Sequence, residues 1–196
     1  MTIISRLEHA GEVVNCEKLP IAHKLWGTDV NITAYGQVGY IEDREIVVRL
    51  TADESDPLAV YKEDNDPVYK DSALEFFLNF EPDNIFYINF EVNANGALLC
   101  HYGKRKDRRP ILNEERRVFV TTERTETEWT ATLRIPIAVI EACFGDVKLK
   151  KGSVISFNLY KICEREDNLH FISHTFIPTE DPDFHLVQYF ARGELE

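Results

Sequence analysis

The sequence predicts an all-β protein, an antiparallel β-sandwich with one short helix. Aromatic residues, which favour strands, are numerous: the 196-residue chain has 12 Phe, 8 Tyr and 2 Trp but only 1 Met. Its apolar runs are short and are separated by Asn, Asp, Gly and Pro, as expected for strands joined by turns. Many such strands with a single helical stretch are typical of a sandwich.

Eight segments are predicted as strands because they combine aromatic or β-branched residues with alternating or continuous apolar patterns. In chain order they are residues 45–51, 73–80, 86–93, 97–102, 117–122, 128–135, 154–163 and 169–176. The sequence Asn93-Ala94-Asn95-Gly96 is a turn signal and predicts a hairpin between the third and fourth strands. The last two strands are expected to pair antiparallel.

A single helix is predicted over residues 136–144. Pro136 stands at a plausible first-turn position, and Gly145 follows the last helical residue. The acidic, Pro-containing stretch 53–66 is too short to separate domains and is expected to be a surface loop. The sequence therefore predicts one domain over residues 1–196.

The predicted strands have one apolar and one polar face, since successive side chains point to opposite sides. The apolar faces are expected to form the core, with Leu74, Phe76, Phe90, Val92, Phe157 and Leu159 inside. The opposite faces carry Asn, Tyr and Glu. Amides and carboxylates bind sugar hydroxyls and flat rings stack on pyranoses, although an ordinary solvated face is the alternative interpretation.

Charge and composition limit the partners. The chain carries 22 basic and 34 acidic residues, for a net charge of −12. Such an acidic protein repels phosphate backbones and anionic membranes, so we expect no nucleic-acid and no membrane partner. No signal peptide is recognisable and four widely spaced cysteines are expected to be reduced, which favours a cytoplasmic protein, or an extracellular one if a leader has been removed.

Four stretches in order resemble the family 9 carbohydrate-binding modules. They are residues 66–77 (DPVYKDSALEFF), 87–96 (YINFEVNANG), 129–136 (WTATLRIP), and a C-terminal set made of 157–161, 170–173 and 182–185. The resemblance covers the chain from about residue 20 onward. It implies a β-sandwich with a non-catalytic sugar-binding role, possibly in carbohydrate catabolism, and with a carbohydrate as the ligand.

The resemblance also suggests aromatic ligand contacts. It makes Tyr69 a stacking residue, where family members generally have Trp, and places His174 where relatives often have Trp. Phe184 and His185 belong to the matching C-terminal stretch and are expected at the rim of the site. Trp129 is predicted to lie in the core, and Trp26 falls in a loop-like stretch.

Three polar residues are the best candidates for hydrogen bonds to a sugar: Glu75, Asn89 and Glu91, which share the polar face of two strands expected to adjoin. Glu75 and Glu91 could instead be the acid/base pair of a glycoside hydrolase. A third possibility is a structural or interaction domain that has lost sugar binding.

A basic cluster follows the fourth strand. Five of the six residues 104–109 are Lys or Arg, which is typical of a solvated loop or of a site for an anionic group. If the cluster overhangs the polar face, Arg105 or Arg108 should lie within ion-pair reach of Glu75 or Glu91. These two arginines are therefore included among the candidate ligand-binding residues.

No cofactor and no catalytic metal is expected. His170, His174 and His185 lack the spacing of a metal motif. Structural calcium is known in the resembling family, and Asp64, Asn65 and Asp66 offer oxygen ligands suited to it.

Overall fold

The computed structural model describes residues 1–196 and contains fourteen strands, one α-helix and four short 3-10 helices. The helix is α1 (Ile137–Phe144), preceded by Pro136 and followed by Gly145 as predicted. The strands are β1 (Thr2–Arg6), β2 (Leu19–Ile21), β3 (His23–Lys24), β4 (Ala34–Ile41), β5 (Glu45–Ala52), β6 (Ala73–Asn79), β7 (Tyr87–Asn93), β8 (Leu98–Lys104), β9 (Asp107–Pro110), β10 (Phe119–Arg124), β11 (Trp129–Pro136), β12 (Val154–Cys163), β13 (His170–Ser173) and β14 (Ala191–Leu195).

Backbone hydrogen bonds join the strands in the order β10-β11-β5-β4-β1-β14-β12-β6-β7-β8-β9. Every neighbouring pair is antiparallel except the two made by β1, which runs parallel to β14 through residues 2–4 and to β4 through residues 5–6. The N-terminal strand thus connects two layers. The predicted sandwich is confirmed, with two parallel pairs that the sequence did not predict.

The core lies between these layers and contains 33 buried hydrophobic residues. All six residues predicted to be in the core belong to this cluster and are inaccessible to solvent. The rings of Phe76 and Phe90, which are opposite each other on β6 and β7, stack with centroids 6.1 Å apart. Trp129 is buried in the same core, as predicted.

All eight predicted strands are present, but β1 to β4, β9 and β14 were missed. The sequence of β4 contains two glycines that weaken its strand pattern. An added Cβ at Gly36 would lie 2.7 Å from Leu159 Cδ1, and one at Gly39 would lie 2.8 Å from Leu7 Cδ1. Close approach of these leucines therefore explains why β4 carries glycine.

The polar face of β6, β7 and β12 is covered, and it is not an ordinary solvated face. Residues 174–190, here called the cover segment, pack on it together with the chain around Leu25. A second cluster of nine buried hydrophobic residues results, including Phe77, Tyr160 and Phe184. The polar residues Glu75, Asn89 and Glu91 are consequently buried.

No helix in the structure is long and apolar enough to cross a membrane. The four cysteines are free thiols.

Candidate functional site

A pocket of about 410 Å³ opens between the polar face of the β6–β7–β8 strands and the cover segment. Its volume falls within the range of roughly 300–1,000 Å³ that is usual for small-molecule sites. Charged side chains and aromatic rings line it in similar number. The lining residues are Trp26, Tyr69, Glu75, Glu91, Leu99, His101, Arg108, Ile162, Glu164, Phe171, Pro182, Asp183, Phe184 and His185.

Glu75 and Glu91 form the floor of this pocket. They are direct partners in the antiparallel β6–β7 pair, so their side chains leave the sheet side by side. Both are buried, with 2% and 4% of their surface exposed. Asn89 Nδ2 donates a hydrogen bond to Glu91 Oε1 at 2.7 Å, but the Oε2 atoms of both glutamates have no partner.

The two carboxyl groups favour their protonated forms. Burial raises the pKa of Glu75 well above its ordinary value, and the neighbouring Glu91 raises it further. Burial likewise raises the pKa of Glu91 to about 7, against the opposing effect of the Asn89 hydrogen bond. Two adjacent buried carboxyls cannot both ionise cheaply, so the pair retains a proton near neutral pH.

Arg108 reaches the pocket from β9 but does not pair with the glutamates. Its Nη1 lies 3.4 Å from the Tyr87 hydroxyl, and its buried Nε has no partner. Arg105 instead binds Asp183 of the cover segment at 2.7 Å. The expectation that either arginine would lie within ion-pair reach of Glu75 or Glu91 was therefore wrong: the hairpin turn carries Arg105 over to the cover segment.

Aromatic rings form one wall of the pocket. Phe184 stacks on Tyr160 with ring centroids 4.1 Å apart, and Trp26 lies against both Phe184 and Phe171. The Trp26 indole N–H donates a hydrogen bond to the Thr179 carbonyl at 2.9 Å, which fixes the ring on the cover segment. Tyr69 and Phe184, both named from the sequence, line the pocket, Tyr69 half-buried and Phe184 buried.

His185 lies on the floor side of the cover segment. Its ring stacks on Phe77, and its Nδ1 lies 2.7 Å from the Tyr87 hydroxyl. Burial lowers the pKa of His185 to about 3, and the nearby Arg108 acts in the same direction. Burial also lowers the pKa of His101, across the pocket on β8. Both imidazoles are therefore neutral near pH 7.

Three candidates from the sequence lie outside the pocket lining: Arg105, which binds Asp183 as described above, Asn89 and His174. Asn89 is fully buried and contacts the site only through Glu91. The ring of His174 stacks over Phe157 with an interplanar angle of 9°, and its Nδ1 hydrogen bonds with the Pro20 carbonyl. Because β13 ends at Ser173, the chain turns at His174 and carries its ring away from the pocket.

Several lining residues were not predicted from the sequence, among them Trp26, His101, Glu164 and Asp183. Trp26 lies about fifty residues before the strand that carries Glu75 and is brought to the pocket by the pairing of β3 with β13. No local sequence pattern predicts such a contact. A solitary Trp in a loop, next to Gly27, was the feature of the sequence that could have indicated a role for this residue.

The side-chain oxygens of the three residues considered as calcium ligands accept hydrogen bonds from backbone N–H groups. Asp64 Oδ1 accepts from the Leu98 N–H, Asn65 Oδ1 from Cys100, and Asp66 Oδ2 from the N–H groups of residues 62 and 63. No group of three or more His, Cys, Asp or Glu residues is arranged to hold a metal ion.

A separate buried polar cluster lies around Lys161 of β12, on the face of the sheet opposite the pocket. Lys161 is fully buried, and its Nζ contacts Ser72 Oγ at 2.5 Å, His170 Nε2 at 2.8 Å and Glu54 Oε2 at 3.5 Å. Ser72 also donates to Glu54. Ser72 is thus part of an interior network, while Asp71 accepts hydrogen bonds from the backbone N–H groups of residues 60 and 61.

The fold and the pocket define a class of protein: a β-sandwich with a pocket of small-molecule size on one covered sheet face. The profile of carbohydrate-binding family 9 matches residues 34–196. The chain belongs to this family, as its sequence motifs suggested. A search of curated proteins returned no match.

Three solved structures share the fold. A Bacteroides uniformis protein described as carbohydrate-binding superposes with a TM-score of 0.86 at 23% identity, covering 100% of this chain and 98% of the other. A family 9 carbohydrate-binding module from Caldicellulosiruptor kristjanssonii in complex with glucose gives 0.69 at 12% identity, with 100% and 95% covered. The module from the same organism in complex with cellotriose gives 0.68 at 14%, with 100% and 93% covered.

Proposed function

We propose that this protein is a non-catalytic carbohydrate-binding domain that holds a sugar in the pocket above Glu75 and Glu91. One observation carries the proposal: the pocket presents buried polar atoms without partners, at Glu75 Oε2, Glu91 Oε2 and Arg108 Nε, beside a wall of aromatic rings. Buried polar groups are nearly always hydrogen-bonded, so these atoms are available to bind the polar groups of a ligand.

A sugar supplies what the pocket lacks. Each hydroxyl group both donates and accepts, so it can donate to a carboxyl oxygen while accepting from Arg108. The apolar face of a pyranose ring packs against aromatic rings such as Trp26 and Phe184. The sugar complexes of the Caldicellulosiruptor modules, which share this fold, support the same assignment. The unpartnered polar atoms of the pocket also disfavour the alternative of a structural domain that has lost sugar binding.

A non-catalytic role fits the placement of the carboxyl groups. Glycosidases place their acid and their nucleophile or base on either side of the scissile bond. Glu75 and Glu91 instead project side by side from adjacent strands and reach the ligand from the same side. The geometry therefore favours binding over hydrolysis, which remains the competing hypothesis.

Calorimetric titration with glucose and cello-oligosaccharides tests the proposal. We expect Trp26→Ala to weaken binding by about fivefold or more, because stacking contacts of this kind are worth roughly 1 kcal/mol or more. His174→Ala is the matched control, since its ring lies outside the pocket, and it should leave the affinity unchanged. Absence of binding to any sugar would refute the proposal, and newly formed reducing ends would show hydrolysis instead.

A further inference from the structure

We propose that the pocket prefers a sugar unit carrying a protonated amine, an amino sugar, over the corresponding neutral or acidic sugar. The inference rests on the proposed sugar-binding function and adds to it the charge of the ligand.

The floor of the pocket has two carboxyl groups and no cation between them. Glu75 and Glu91 lie directly opposite each other across β6 and β7, both line the pocket, and each has a buried Oε2 without a hydrogen-bond partner. No Lys or Arg nitrogen forms an ion pair with either of them. Arg105 is paired with Asp183 and Lys161 with Glu54.

No other charged group around the floor forms an ion pair with these carboxyls, and the Arg108 guanidinium only partly offsets the rise in their pKa values. Glu164 lines the pocket as a third carboxyl, and burial raises its pKa as well. Asp183 and Arg105 neutralise each other. Arg108 is the one guanidinium in the lining, and it faces the Tyr87 hydroxyl.

The remaining titratable groups facing the floor are neutral or already engaged. His101 and His185 are uncharged near pH 7 because burial lowers the pKa of each. The pKa values of Tyr87 and Tyr160 are raised by burial, so both phenols stay protonated. Lys161, behind the sheet, is held by Ser72, His170 and Glu54, as described above. Carboxyl groups thus outnumber cations in the pocket.

A ligand ammonium group would correct this imbalance. It brings three N–H donors, enough for both unpartnered Oε2 atoms, and its charge allows the glutamate pair to ionise. On binding, the pair releases the proton that it retained, and the proton passes to solvent. A neutral hydroxyl satisfies the hydrogen bonds without the charge, and a uronate adds another carboxylate to the pocket. A metal ion fits less well, because no third ligating side chain converges there.

Titration of the intact protein with glucose, glucosamine, N-acetylglucosamine and glucuronate at pH 7 tests the inference. We expect glucosamine to bind at least about fivefold more tightly than glucose, since hydrogen bonds between charged partners exceed neutral ones by about 1 kcal/mol or more. N-Acetylation should remove this advantage, and glucuronate should bind most weakly. In buffers of different ionisation enthalpy, glucosamine binding should release protons and glucose binding should release none.

A variant isolates the origin of the preference. Glu75→Gln keeps the shape of the floor but leaves a single carboxyl, which Arg108 can balance. The ratio of glucosamine to glucose affinity should then fall to about one, whereas His174→Ala should leave that ratio unchanged. If glucose binds and glucosamine binds no more tightly, the inference fails while the sugar-binding proposal stands. If no sugar binds, both fail, and tighter binding of glucuronate would reverse the assigned charge preference.

Discussion

Glu91→Gln should stabilise the protein at alkaline pH and leave it unchanged at acidic pH. The carboxyl ionises at 4.5 in its ordinary state, and burial raises its pKa to about 7 in the folded protein. Because the pKa of Glu91 is higher in the folded than in the unfolded protein, the protonated carboxyl makes its full contribution to stability below pH 4.5. That contribution is lost as the pH rises to about 7. At about 1.36 kcal/mol per pKa unit, this loss amounts to about 3 kcal/mol.

Glutamine removes the ionisation while its side-chain carbonyl can still accept the hydrogen bond from Asn89 Nδ2. The variant should therefore unfold with a free energy about 3 kcal/mol higher than the parent at pH 8, or with a melting temperature about 6–12 °C higher, and match the parent near pH 4.5.

Urea unfolding of both proteins at several pH values between 4.5 and 8 measures the difference. The exposed Glu114→Gln serves as the control and should leave the pH profile as it is. A difference between variant and parent that stays constant over this pH range would show that Glu91 is not a buried acid, and the reasoning would be refuted.

Two further predictions concern the interior cluster and the basic hairpin. Lys161→Met should lower the free energy of unfolding by about 3–5 kcal/mol, because it leaves the largely buried Glu54 carboxylate without its cation. Adding Glu54→Gln should recover much of the loss. Chemical denaturation would contradict this if the single variant were as stable as the parent. Gly103→Ala should weaken sugar binding without unfolding the protein, because at φ +156° the added Cβ would clash with the Asp107 carbonyl and displace the β8–β9 hairpin. Calorimetry measures the sugar affinity, with Gly11→Ala as the control because nothing lies within 4 Å of a Cβ added there. Unchanged affinity of the Gly103 variant would count against the role of this hairpin.

The central strands could be predicted from the sequence because alternation of side chains is a local property. Residues 73–79 and 87–93 show the period of two clearly, and that period also placed Glu75 and Glu91 on one face. The strands that were missed depend on distant partners. β14 contains Arg192, Gly193 and Glu194, a sequence without strand character, and it is held by β1 and β12.

The site was predictable in part for the same reason. Side chains on strands, such as Glu75 and Glu91, follow from the pattern, whereas those on loops do not. The cover segment is irregular and packs on the sheet through Phe184 and Ile177, so the burial of the polar face depends on long-range contacts. The same contacts bring Trp26 to the pocket and turn Arg105 towards Asp183.

The pairing of β1 with β14 constrains when the protein can complete its folding. Residues 2–4 meet residues 193–195, so closing the sheet joins segments separated by nearly the whole chain, a step whose entropic cost grows with the logarithm of loop length. The hairpins β4–β5, β6–β7 and β10–β11 are local and can form earlier. During synthesis, the two layers should therefore assemble first, and the β1–β14 pairing that joins them should form only after β14 has left the ribosome.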